Sequence, residues 1–168
     1  MRTVMIGIAA VGAIILVVQP RAAAPWLVWN TSPSVPIGLY VINGSAAGRG
    51  DVVLARLPRP FAMTAHQRGY LEKTTYLLKP VVAIKGDRVC RMGRRIIVRD
   101  GLAGLAMLHD SKGRHLPDWN GCRVLATGDV FVLARAKHSF DSRYFAELRE
   151  SQIVGRALHV NVFKSANP

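Results

Sequence analysis

Acidic side chains are scarce in this sequence: Asp and Glu number 10 against 23 Lys and Arg, leaving a formal net charge of +13. Such an excess calls for a polyanionic neighbour or a negatively charged bilayer face. Aromatic residues are few, at 7%. The arginines, among them Arg49, Arg88, Arg94, Arg95 and Arg123, are scattered without the motif or stacking aromatics of a dedicated nucleic-acid module. No specific nucleic-acid partner is expected. Cysteine is limited to Cys90 and Cys122, too few for a metal site without more ligands nearby. None of the five histidines sits in a recognisable triad motif, and no internal repeat appears. With 168 residues, the chain has room for one domain with a real core but not for two.

What the chain does have is a greasy beginning. Val4 to Val18 carries no polar side chain, with Arg2 before it and Arg21 after Gln19-Pro20. That run reads as a short membrane span or as the apolar core of a secretory signal, and either sends the remainder across a membrane. A helix of this length rises about 23 Å against a hydrocarbon core of roughly 30 Å, so the flanks must join a span. Ala22-Ala23-Ala24 would suit a signal-type cleavage site. An uncleaved anchor is the preferred reading, because Trp26 and Trp29 would then lie at the interface; the alternative makes them ordinary core residues. The expected organisation is an anchor over residues 1–21 and one domain over 22–168. In an exported domain, two cysteines pair more often than not, so a Cys90–Cys122 disulfide is predicted, adding roughly 3 to 4 kcal/mol by chain entropy. Two buried free thiols are the alternative.

Runs rich in Val, Ile and Leu at Leu39 to Ile42, Asp51 to Arg56, Tyr76 to Ile84, Ile96 to Arg99, Val130 to Ala134 and Ile153 to Val162 predict a mainly β domain. Gly50-Asp51, Gly86-Asp87 and Gly128-Asp129 punctuate three of them, glycine allowing the turn and aspartate bonding nearby amides. Pro58 to Glu72 predicts a short helix after a proline start. Asp100 to Gly121, with its glycines, Pro117 and many polar residues, reads as a hairpin or excursion within the Cys90 to Cys122 loop, of irregular structure.

Three segments carry potential chemistry. Ser34 lies between Pro33 and Pro36 with Gly38 following, a rigid extended turn able to hold a nucleophile still; Ser32 would place its hydroxyl beside the Ser34 amide as a second oxyanion donor. A serine hydroxyl needs a base, and Lys79 stands among Tyr76-Leu77-Leu78 and Pro80-Val81-Val82. In a buried strand it would lose its charge to desolvation and accept the Ser34 proton. On an edge strand, marked by Pro80, it would simply be wet. The third segment, His138 to Phe145, offers Ser139 to orient an amine and an Asp141/Arg143 pair that equally suits a capped helical turn, with Asp141 as N-cap.

These segments in this order resemble the type I signal peptidases, which are serine-lysine proteases, and more closely their conjugative-transfer branch, the TraF-type peptidases. The resemblance covers most of the chain. It rests on the apolar start, Ser32 to Tyr40, Leu77 to Asp87 and Ser139 to Phe145. Val35-Pro36 after the serine and Pro80 after the lysine depart from the housekeeping enzymes toward the TraF branch. The fold it implies is a signal-peptidase-like β domain with a short helix behind an N-terminal transmembrane helix. It also implies Ser34 as nucleophile, Lys79 as base and then acid, Ser32 as oxyanion donor, Ser139 holding the Lys79 amine, and a supporting Asp141–Arg143 ion pair. No cofactor or metal is implied. The implied partners are the cytoplasmic membrane and an exported precursor, in this branch a pilin, held as an added β-strand on the periplasmic side with small residues flanking the scissile bond. Two other readings stand beside this one. A self-cleaving repressor of the LexA type shares the chemistry but needs a DNA-binding domain where the apolar run stands; a non-catalytic basic envelope component of a transfer apparatus would need neither residue.

Overall fold

The structure, a computed structural model, describes residues 24–44, 46–70 and 76–160. The expected anchor over residues 1–21 lies outside them. No helix among the described residues is long and apolar enough to cross a membrane.

Among the described residues, ten strands form two antiparallel sheets. The larger joins β1 (Leu27–Asn30), β2 (Gly38–Asn43), β10 (Ile153–His159), β3 (Val52–Arg56), β4 (Tyr76–Ala83) and β9 (Phe131–Val132) in that spatial order. The smaller runs β7 (Gly101–Leu105), β6 (Arg95–Val98), β5 (Arg88–Met92) and β8 (Gly121–Val124). Helix α1 (Arg59–Gln67) follows Pro58 as expected, and a buried turn of helix, α2 (Ser142–Phe145), follows the N-cap Asp141. A mainly β domain with a short helix is therefore what the chain forms. The excursion from 100 to 121 is more ordered than its composition suggests, since it contributes β7 and the bridge His109↔His115. Backbone pairing with β6 overrides the weak strand propensity of Gly101, Ala103 and Gly104.

Apolar residues alternate along the central strands because both faces are covered. On β3 and β4, Val53, Ala55, Leu77, Val81 and Ala83 point into one cluster with Phe131, Leu148 and α2, while Leu54 and Leu78 point into another with Val35, Tyr40 and Ala157. Lys79 shares the face of Leu77 and Val81. Strand β4 pairs with β3 over Tyr76–Pro80 and with β9 only from Val81 onward, so Lys79 and Pro80 lie where β9 has not yet joined, yet Lys79 is buried rather than wet. The core alternative for the tryptophans also falls away: Trp26 and Trp29 are 61% and 64% exposed.

The Gly-Asp punctuation works as its chemistry requires. Gly50, Gly86 and Gly128 all have positive φ, and Asp51, Asp87 and Asp129 each accept a backbone N–H three residues earlier, from Gly48, Ile84 and Ala126 at 2.8, 2.9 and 3.1 Å. Arg49 joins two of these turns through a bidentate pair with Asp87 at 2.8 Å. In the small sheet Cys90 stands directly opposite Cys122, with the sulfurs at disulfide distance.

Strand β10 lies between β2 and β3 in the large sheet, with a register shift against β3 between Ile153 and Gly155. A Cβ on Gly155 would lie 2.1 Å from the Asn43 carbonyl oxygen, and backbone has no room to yield. Gly155→Ala is therefore expected to lower stability by roughly 1–3 kcal/mol, read from denaturant midpoints. Gly44→Ala, which meets nothing within 4 Å, is the control that should leave the midpoint nearly unchanged.

Candidate active site

Ser34 sits in the loop between β1 and β2, and that loop is built around one side chain. Asn30, the last residue of β1, is 6% exposed. Its Nδ2 donates to the carbonyls of Ser32, Val35 and Pro36 at 2.8, 3.1 and 3.0 Å, and its Oδ1 accepts from the Ser32 amide at 3.1 Å and the Ser32 hydroxyl at 3.2 Å. The Tyr40 hydroxyl donates to the Pro36 carbonyl at 2.8 Å from the other side. Ser34 is thus bracketed by anchored carbonyls, while Val35 next to it is buried in the core. Asparagine two residues before a serine is a common turn pattern, so the sequence carried only a faint signal of this role. The loop fold around Asn30 arises because its carboxamide offers two donors and an acceptor at the point where strand pairing stops.

Lys79 comes to Ser34 from β4. Pairing of Val53 with Lys79 fixes its height in the sheet, and alternation fixes its face. Its Nζ lies 2.5 Å from Ser34 Oγ and 2.8 Å from Ser139 Oγ; the two hydroxyl oxygens are 3.4 Å apart. The lysine is 7% exposed. Burial drives its ammonium down from the ordinary lysine range to about 8, opposed by the Asp141 charge and assisted by Arg143.

The third segment wraps behind the lysine. Asp141, fully buried, takes an ion pair from Arg143 Nη1 at 2.5 Å and backbone N–H bonds from Ala134 at 3.0 Å and Arg143 at 3.2 Å. Burial pushes the Asp141 carboxyl up, while the guanidinium and these amides pull against it. Arg143 Nη2 also donates to the Ala134 carbonyl at 2.7 Å, and buried Arg91 donates to the Arg143 carbonyl at 2.6 Å. Arg91, buried and scattered among the other basic residues in sequence, is a support that no sequence pattern marked.

The structure therefore brings Ser34, Lys79, Ser139, Asp141 and Arg143 together. Ser32 stands at the entrance: it is exposed, and its hydroxyl is turned to Asn30 rather than to the Ser34 amide. His138, beside Ser139 in sequence, is exposed and lines a different cavity. A cleft of about 690 Å³ opens over Lys79, with Leu27, Trp29 and Ser32 on the β1 side and Tyr76, Leu77 and Leu78 on the β4 side. Strand β1 is the end strand of its sheet, and β9 takes up the second edge of β4 only from Val81 onward. No group of three or more His, Cys, Asp or Glu able to hold a metal occurs among the described residues.

A serine and a buried lysine meet beside this cleft, and similarity along the chain gives them a lineage. Residues 1–161 match the family described as signal peptidase, peptidase S26. The chain belongs to this family of serine peptidases. It is 32% identical over 136 residues to a plasmid transfer protein TraF of Escherichia coli, covering 74% of this chain and 77% of the relative. It is 34% identical over 143 residues to a probable conjugal transfer protein TraF of Sinorhizobium fredii, covering 78% and 74%. A solved signal peptidase I from Enterococcus faecalis is 16% identical, with a TM-score of 0.40, covering 68% of this chain and 98% of that one.

If Asn30 organises the serine loop, truncating it leaves buried carbonyls without donors. Asn30→Ala is expected to cost roughly 1–3 kcal/mol of stability and to speed hydrogen exchange at the amides of 32–35, with exchange in β4 unchanged relative to the global opening rate.

Proposed function

We propose that this protein is a membrane-anchored serine endopeptidase that processes exported precursors with a Ser34–Lys79 dyad. The observation carrying this reading is the buried contact of Lys79 Nζ with both Ser34 Oγ and Ser139 Oγ. A lysine whose proton leaves near pH 8 supplies a free amine under mildly alkaline conditions. The Ser34 hydroxyl donates its proton to the Nζ lone pair as Oγ attacks the scissile carbonyl. Nζ, meanwhile, is aimed by its bond to Ser139. The tetrahedral oxyanion takes hydrogen bonds from the Ser34 amide and from the Ser32 hydroxyl once that rotates away from Asn30. The Lys79 ammonium then protonates the leaving amine, and the amine so regenerated activates the group that resolves the acyl-enzyme. Water in that step gives a linear product. An amine from the same precursor gives a ring.

The precursor would lie in the cleft as an extra strand between β1 and the first half of β4, held by main-chain hydrogen bonds. Likeness to the signal peptidase family favours small residues flanking the scissile bond. Sequence likeness to the TraF proteins of plasmid and conjugal transfer supports a pilin-type precursor. Exposed Trp26 and Trp29, next to the apolar N-terminal run, support seating against the periplasmic face of the cytoplasmic membrane, as does the +13 charge. A non-catalytic envelope role leaves the dry amine between two hydroxyls without a purpose.

Purified full chain should convert a co-expressed precursor to a shorter species by mass spectrometry. Ser34→Ala and Lys79→Ala should each lower the rate by about 10⁴-fold or more, with circular dichroism unchanged; processing that survives either change would exclude the dyad. Because the unprotonated lysine is the working form, kcat/KM should rise about tenfold per pH unit below pH 8 and level off above it. A profile flat from pH 6 to 9 would contradict the assignment of Lys79 as base.

A further inference from the structure

Two histidines that the dyad leaves unused meet in the 100–121 excursion. His109 and His115 form an isolated antiparallel bridge. The backbone bonds on either side of it are Asp110 N–H to the Arg114 carbonyl and Leu116 N–H to the Leu108 carbonyl, both 2.9 Å. The two histidines are therefore a non-hydrogen-bonded pair, the arrangement in which facing side chains approach most closely. Their Nε2 atoms are 3.3 Å apart while the ring centroids are 4.2 Å apart, so both rings lead with Nε2 into the same space. Two imidazole nitrogens at about 2.0–2.1 Å from a tetrahedral ion stand roughly 3.3–3.4 Å from each other. Both rings are exposed, and a turn about each Cβ–Cγ bond, a soft torsion, aims the two lone pairs at one point.

The hairpin beneath them is rigid. Asp110 accepts the amides of Lys112 and Arg114 at 2.9 Å each, Arg114 Nε at 2.6 Å and the Tyr70 hydroxyl at 2.8 Å. Arg68 clamps the His115 carbonyl at 2.5 Å. The same Asp110 neutralises the neighbouring Arg114, which would otherwise repel a cation. Preorganised ligands on a fixed turn lose little entropy on binding.

We propose that His109 and His115 form an open two-histidine site for a divalent transition cation of the zinc, copper or nickel class, with its other positions left to water. This site is separate from the Ser34–Lys79 centre and does not rest on the peptidase reading. Zinc chloride titrated calorimetrically into the full chain, prepared without an affinity tag, should show one ion bound per chain. Affinity should fall at least about tenfold in His109→Ala and in His115→Gln, the smallest loss that removing even an outer-shell partner brings. His66→Ala should bind like the parent. Absence of saturable uptake by the folded parent would overturn the proposal, as would equal uptake by the parent and both bridge variants. Retained circular dichroism in the variants ties any loss to the ligands, and a zinc-induced shift of the two imidazole resonances in the parent provides the second readout.

Discussion

A lysine held dry beside two hydroxyls is the constraint around which this domain is arranged. Taking an ammonium out of water is costly, and burial brings the pH at which this one sheds its proton down to about 8. The nearest carboxylate, Asp141, would restore the charge if it were free. It is instead tied to Arg143 and to two backbone amides, which leaves the lysine under opposing fields and governed by burial. The ion pair is thus better understood as a device for keeping a carboxylate occupied than as a source of stability, since buried pairs seldom add much net free energy.

Positioning follows from strand geometry. Lys79 belongs to a strand whose register with β3 sets its height and face, whereas Ser34 belongs to a loop with no ladder of its own. Asn30 substitutes for that ladder, supplying to three carbonyls the donors that a neighbouring strand would have given. Burial of Val35 in the core then fixes the depth of the loop.

Peptidase family membership and this geometry reinforce each other without being the same evidence. The family follows from similarity along the chain. The reach of one amine to two hydroxyls follows from coordinates, where Ser34 and Ser139 approach Lys79 from loops 105 positions apart.

Much was legible in the sequence because it depends on local chemistry. Alternating Val, Ile and Leu runs predicted β2, β3, β4 and β10, Pro58 predicted the start of α1, and the three Gly-Asp pairs predicted turns whose aspartates do bond nearby amides. Strands β1, β5 and β8 were not foreseen, because Trp26-Leu27-Val28-Trp29 reads as a membrane flank and Arg88 to Met92 and Gly121 to Val124 gain strand form only from their partners. Ser34, Lys79 and Ser139 were candidates from motif order alone. Whether Lys79 is wet or dry was open, since nothing local says what covers a strand; only tertiary packing, with β9 and the 139–145 segment laid over it, removed its water. By itself the sequence determined residue chemistry, turn positions and strand periodicity, which act over a few neighbours. Tertiary structure decided the protonation of one amine, the Asn30 anchor and the meeting of distant hydroxyls, because desolvation and hydrogen-bond geometry are properties of surroundings rather than of any residue.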